Sequence, residues 1–132
     1  MRVVALLVAA GRGQRFGTTE PKQFLALAGR PVLRHAAEAL LADGLVEAVL
    51  PVCSAGEEGR VSALLDDLPI LPPVQGGIAR QDSVRAGLEA LAANPPDVVL
   101  VHDAARPVLR PGTVRAVVEA LERHHGAIPA LP

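Results

Sequence analysis

The chain has 132 residues, half of them hydrophobic and 20% charged, a balance that supports a buried core and excludes intrinsic disorder. Lys and Arg number 13 against 14 Asp and Glu, so bulk charge points to neither nucleic acid nor acidic membranes. Aromatic residues are 2% (Phe16 and Phe24, no Tyr or Trp), which excludes a stacking platform for single strands, and the lone Cys53 excludes an internal disulfide or a multi-cysteine zinc site.

Residues 3–9 form an unbroken apolar run, and runs at 48–53, 70–74, 98–101 and 127–131 follow, the last weakened by Pro129. Continuous runs without alternation suit strands buried on both faces of a parallel sheet. Helical stripes lie between them. Pro31 stands where a first helical residue belongs, Leu33, Ala36, Ala37, Leu40 and Leu41 share one face, and Gly44 closes the helix. Val61, Leu64, Leu65 and Leu68 make a second stripe. Val84, Leu88 and Leu91 make a third, beginning near the cap residue Asp82. Residues 111–124 make a fourth, with Val114, Val117, Val118 and Leu121. This alternation predicts an α/β fold: a Rossmann-like layered sheet, mostly parallel, with helices on both faces. No apolar run reaches membrane-spanning length and no segment resembles a secretory signal, so a cytoplasmic protein is expected. The expectation is one nucleotide-binding domain over residues 1–132, cut at its C-terminus, because the chain stops inside or just after the fifth apolar run.

Open α/β sheets bind ligands at the carboxyl ends of their strands. After the first run come Gly11, Gly13 and Gly17 with Arg12, Arg15 and Lys22, a composition suited to polyphosphate. A solvated basic loop is the alternative. The spacing matches neither a P-loop nor a dinucleotide fingerprint, since Phe16 occupies the third glycine position. After the third run, Gly76, Gly77 and Ser83 fit either a loop that brings backbone amides to a planar base or an ordinary turn capped by Asp82 or Ser83. After the fourth, Asp103 is placed to hold Mg²⁺ on phosphates, or else to cap a loop or pair with Arg106. His35, His124 and His125 have no partner at metal spacing, and Cys53 suits the core better than nucleophilic work.

Three segments then carry a resemblance: L-x-A-A-G-x-G-x-R-x-G from Leu7 to Gly17 followed by Pro21, Lys22 and Gln23; G-G-x-x-R-x-x-S-V from Gly76 to Val84; and V-H-D-A-A-R-P from Val101 to Pro107. In this order they resemble the 2-C-methyl-D-erythritol 4-phosphate cytidylyltransferases. The resemblance implies a fold of the nucleotide-diphospho-sugar transferase type and transfer of CMP from CTP to methylerythritol phosphate in the non-mevalonate isoprenoid pathway. It implies that Arg15 and Lys22 stabilise charge at the α-phosphate, and that Ala9, Ala10, Gly11 and Gly13 line the nucleotide. By the same resemblance Gly76, Gly77 and Ser83 read the cytosine, Asp103 helps hold Mg²⁺, Ala104 touches the ribose, and Arg80 and Arg106 support. Ile78 departs from the family, whose members often carry an acidic residue there. The family's chain runs well beyond 132 residues, with a dimer-forming arm and acceptor-binding residues, so a homodimer is implied for the full-length form. Another alditol phosphate as acceptor, or a non-catalytic nucleotide-binding piece, remains open at this point.

Overall fold

The structure, a computed structural model, describes residues 1–11 and 20–130. Strand β1 (Val3–Ala9) is the centre of a four-stranded parallel sheet. It pairs with β4 (Ala48–Cys53) on one side, Val4 opposite Ala48, and with β6 (Val98–Asp103) on the other, Val3 opposite Val98. A two-residue strand, β5 (Val74–Gln75), lies outside β4. All seven residues of β1 are buried, as the unbroken apolar run required.

Alternate residues of β1 feed two cores. Val3, Ala5, Leu7 and Ala9 face helices α1 (Val32–Leu41), α2 (Glu58–Leu64) and α4 (Thr113–Ala120), through Leu33, Ala36, Val61, Val114 and Val118. Val4 and Leu6 face α3 (Arg80–Leu91), packing with Leu50 and Leu91. Each fully buried leucine contributes about 1.5–3 kcal/mol. Helix α3 lies close to the sheet: a Cβ on Gly87 would come within 2.9 Å of the Leu6 methyl groups and 3.1 Å of Val52. That contact sets the helix's rotation.

The elements depart from the expectation in instructive ways. The inward stripe of α3 is Ser83, Gly87 and Leu91, while Leu88 is 46% exposed, because close approach at Gly87 turns the larger side chain out. The run at 70–74 collapses to an isolated bridge between Ile70 and Val49 plus β5, since Pro72 and Pro73 offer no N–H to a ladder. Residues 127–130 form no strand; Pro129 lacks a donor and Ile128 is 85% exposed. Pro31 caps α1 with extended ψ rather than opening it, and α4 begins after Gly112, which adopts a left-handed φ of 86°. Gly44, also left-handed, donates to the Leu41 carbonyl and closes α1's end as expected. A short antiparallel hairpin, β2 (Ala26–Leu27) and β3 (Arg30–Pro31), adds to the expected elements and turns on Ala28 and Gly29, both at positive φ.

Cys53 ends β4 with its side chain wholly buried, and burial pushes its thiol up to about 11. On the outer surface Arg34 of α1 grips Asp67 beyond α2 with paired hydrogen bonds of 2.6 and 2.7 Å and also meets Glu38 at 2.8 Å. The hydrogen bonds from Arg34 hold the Asp67 carboxyl down at about 2, against about 3.9 in an unfolded chain. A depressed native value means the contribution is present above about pH 4 and is lost as pH falls towards 2. Asp67→Asn should therefore flatten the fall in Tm between about pH 4 and 2, modestly because the pair is exposed, and less so in high salt. Parallel Tm–pH curves for the two proteins would contradict this.

Candidate functional site

The parallel sheet sends the loops after β1, β5 and β6 to one edge, where they enclose a cavity of about 600 Å³. Its wall is built from Ala10 and Gly11 after β1, Lys22 and Gln23, residues 77–80 with Ser83 at the start of α3, and Asp103, Ala105 and Arg106 at the end of β6.

The turn out of β1 is held from below. Gly11 takes a φ of 107°, which a side chain would resist, and its N–H donates to Ser54 Oγ at 3.1 Å. Gln23 Nε2 donates to the carbonyls of Ala9 at 2.8 Å and Gly11 at 3.1 Å. Gln23 is only 6% exposed, in the 3-10 turn Lys22–Phe24, so its amide is a fixed strut that leaves the preceding Lys22 on the cavity wall. In the sequence Gln23 stands only within the Pro21-Lys22-Gln23 motif. Its signal was an uncharged amide between a cation and an apolar Phe24.

The glycine pair is close-packed. Gly76 N–H donates to the Cys53 carbonyl at 2.7 Å, and Gly77 N–H donates to Ser83 Oγ at 3.2 Å. A Cβ on Gly76 would fall 2.5 Å from Ser83 Oγ and 2.8 Å from the Ala10 Cβ; one on Gly77 would fall 2.4 Å from the Asp82 Cβ. The Asp82 carboxylate accepts from Ala79 N–H at 3.2 Å and caps α3. The turn is capped by Asp82 and braced by Ser83, and Gly77 and Ser83 of the same segment line the cavity.

Asp103, opposite Val8 in the β1–β6 register, is the only carboxylate among the described residues lining the cavity. Arg80 Nε donates to its Oδ1 at 3.0 Å, and Arg106 Nε approaches its Oδ2 at 3.4 Å. The Arg106 pairing was among the sequence-based alternatives; the Arg80 pairing was not. His102 Nε2 lies 2.8 Å from the Arg106 carbonyl and steadies the turn. Among the described residues no group of three His, Cys, Asp or Glu side chains gathers as a metal cage.

Of the expected site residues, Ala10, Gly11, Lys22, Gly77, Arg80, Ser83, Asp103 and Arg106 line the one cavity. Gly76 stands directly behind it, against Ser83 and Ala10. Ala9 is buried and meets the site only through the carbonyl that Gln23 holds. Ala104 is fully buried in the core with its N–H bound to the Val8 carbonyl, and the half-buried Ala105 beside it lines the wall. Gly13 and Arg15 lie outside the described residues. Ile78 lines the mouth and is fully exposed.

The family model described as IspD, 2-C-methyl-D-erythritol 4-phosphate cytidylyltransferase, matches residues 3–132. The chain belongs to this cytidylyltransferase family. A relative from Granulibacter bethesdensis named "Bifunctional enzyme IspD/IspF" is 52% identical over 132 residues, 100% of this chain and 34% of that one. One of the same name from Gluconobacter oxydans is 52% identical over 139 residues, covering 99% of this chain and 34% of its own. The 4-diphosphocytidyl-2C-methyl-D-erythritol synthase structure from Anaerococcus prevotii superposes with TM-score 0.75 at 25% identity, over 92% of this chain and 51% of that chain. The bifunctional IspDF of Campylobacter jejuni gives the same TM-score at 22% identity, over 93% of this chain and 31% of its own, and so supports the fold. The chain therefore spans about a third of the length of the bifunctional relatives and about half of the A. prevotii synthase. The cytidylyltransferase fold is the layered α/β sheet described above.

The packing at the glycine pair has a direct consequence. Gly76→Ala should destabilise by about 1–3 kcal/mol through overpacking against Ser83 and Ala10. Gly59→Ala, in α2 with open space at its Cβ, should stabilise by about 0.5–1 kcal/mol. Urea unfolding of both variants checks the opposite signs.

Proposed function

We propose that residues 1–132 form the nucleotide-binding part of an enzyme that transfers CMP from CTP to 2-C-methyl-D-erythritol 4-phosphate, releasing pyrophosphate, for isoprenoid precursor synthesis. One observation supports this reading: in a chain matched over residues 3–132 by the family model, the described residues of the three motifs meet at one cavity with Lys22, Arg80 and Arg106 around it. Under this reading the remaining acceptor contacts and the homodimer arm lie outside these residues, and the protein works in the cytoplasm. Among the described residues no helix is long and apolar enough to cross a membrane.

The chemistry suits the wall. The attacking group is a phosphate already largely ionised at neutral pH, so positioning and charge neutralisation matter more than a general base. Lys22, and Arg15 by its motif position, would face the charge that builds on the α-phosphate. The backbone of Gly11 and the close-packed backbone of the glycine pair would border the nucleotide by shape, with the turn of Gly76 and Gly77 at the base.

Mg²⁺ commonly takes one or two carboxylates and fills its shell with phosphate oxygens and water. A single carboxylate among the described residues of the cavity wall fits an ion that arrives with the triphosphate, and Asp103 would hold it. Such an ion would supply charge neutralisation on the phosphates; orientation and the remaining positive charge come from the chain's own side chains.

The test is Mg²⁺-dependent pyrophosphate release from CTP by the full-length protein, with methylerythritol phosphate as acceptor. Lys22→Ala and Arg15→Ala should each lower kcat by about 10²-fold with smaller changes in CTP affinity. A protein inert with this acceptor but active with another alditol phosphate would overturn the substrate assignment. Loss of affinity at unchanged kcat would overturn the assigned role of the two cations.

A further inference from the structure

We propose that Arg80 is an exchangeable counter-ion of Asp103: it competes with a divalent cation for the carboxylate and passes to the nucleotide's phosphates when the cation is seated. The proposal deepens the cytidylyltransferase reading and rests on it only for the identity of the polyphosphate.

Both oxygens of Asp103 carry a guanidinium, Arg80 at 3.0 Å on Oδ1 and Arg106 at 3.4 Å on Oδ2. The carboxylate is anchored, since its residue closes β6 against Val8 and its side chain is 32% exposed. The arginines are not: 58% of the Arg80 side chain and 77% of the Arg106 side chain face solvent. Ion pairs of this exposure are weak and exchange readily. Arg80 is the first residue of α3, whose start is capped by Asp82, so its backbone keeps station while its long side chain swings.

Charge decides the direction of exchange. Lys22, Arg80 and Arg106 share the cavity wall with one carboxylate. A divalent cation that takes Asp103 alone must displace a guanidinium and then sit beside it, which is repulsive. A polyphosphate that enters with the cation removes that penalty, because the released guanidinium finds oxygens that match its planar donors. Cation and polyphosphate therefore bind with positive coupling, and Arg80 is the residue through which they are coupled. Arg106 contributes less, being farther away and more exposed.

The test uses the full-length protein with Mn²⁺ as the probe, free Mn²⁺ being read by electron paramagnetic resonance, with and without CTP. Wild type should bind Mn²⁺ weakly alone and more tightly with CTP. Arg80→Gln should bind Mn²⁺ alone about fivefold more tightly or better, and the enhancement by CTP should shrink by a similar factor. Adding Asp103→Asn to Arg80→Gln should erase the gain. Arg106→Gln should give a smaller gain of the same sign. Equal Mn²⁺ affinity in Arg80→Gln and wild type, a gain that survives Asp103→Asn, or a larger gain at Arg106 would each overturn the proposal. Unchanged Mn²⁺ affinity with intact CTP turnover would overturn the exchange and leave the enzymatic reading standing. A gain in Arg80→Gln with no response to CTP in either protein would support the exchange and overturn the nucleotide assignment. Thermal melts of each variant confirm folding, which an exposed side chain such as Arg80 permits.

Discussion

The parallel pairing of β1 with both β4 and β6 is the constraint on which the rest depends. A strand buried on both faces must be apolar throughout, and so it has no chemistry of its own. What it does is aim. Because all its neighbours run in the same direction, every loop that leaves a carboxyl end emerges at one edge, and residues as distant in sequence as Gly11, Arg80 and Asp103 become wall partners. The cost of that arrangement is backbone that must be satisfied where the ladder ends. Gln23 and Ser54 meet it with side-chain hydrogen bonds to the turn out of β1.

The same edge concentrates positive charge in a chain that is nearly neutral overall. Lys22, Arg80 and Arg106 hold their places around one carboxylate, so a small net charge conceals a strongly cationic wall. Local placement, not bulk charge, sets the field at this edge. The glycine pair adds the opposite quality, a turn so tightly packed on Ser83 and Asp82 that it presents backbone with little freedom.

Much of this was legible in the residues. Unbroken runs at 3–9 and 48–53 announced buried parallel strands, and the loops after the strands were the right places to look. The Asp103–Arg106 pair is visible three residues apart, whereas Arg80–Asp103 spans 23 positions and exists only once the sheet order is known. The strut role of Gln23 is likewise a matter of depth, which no local pattern encodes. Errors arose where apolar character outran backbone chemistry: the runs containing Pro72, Pro73 and Pro129 have the side chains of strands but not the donors. Leu88 was misplaced because a stripe of large residues looked like the buried face, when the tight approach of α3 to the sheet demanded Gly87 there.

Cys53 gives the structure a use beyond its own chemistry. It is the chain's single thiol, wholly buried, held protonated with its titration pushed up to about 11, and its carbonyl anchors Gly76. A thiol in that state is inert to alkylating reagents until the end of β4 separates from its neighbours. The rate at which such a reagent labels this protein is then a clock for opening at the sheet edge that carries the glycine turn. Any ligand that clasps that turn will slow the clock, without a dye, a tag or an introduced residue.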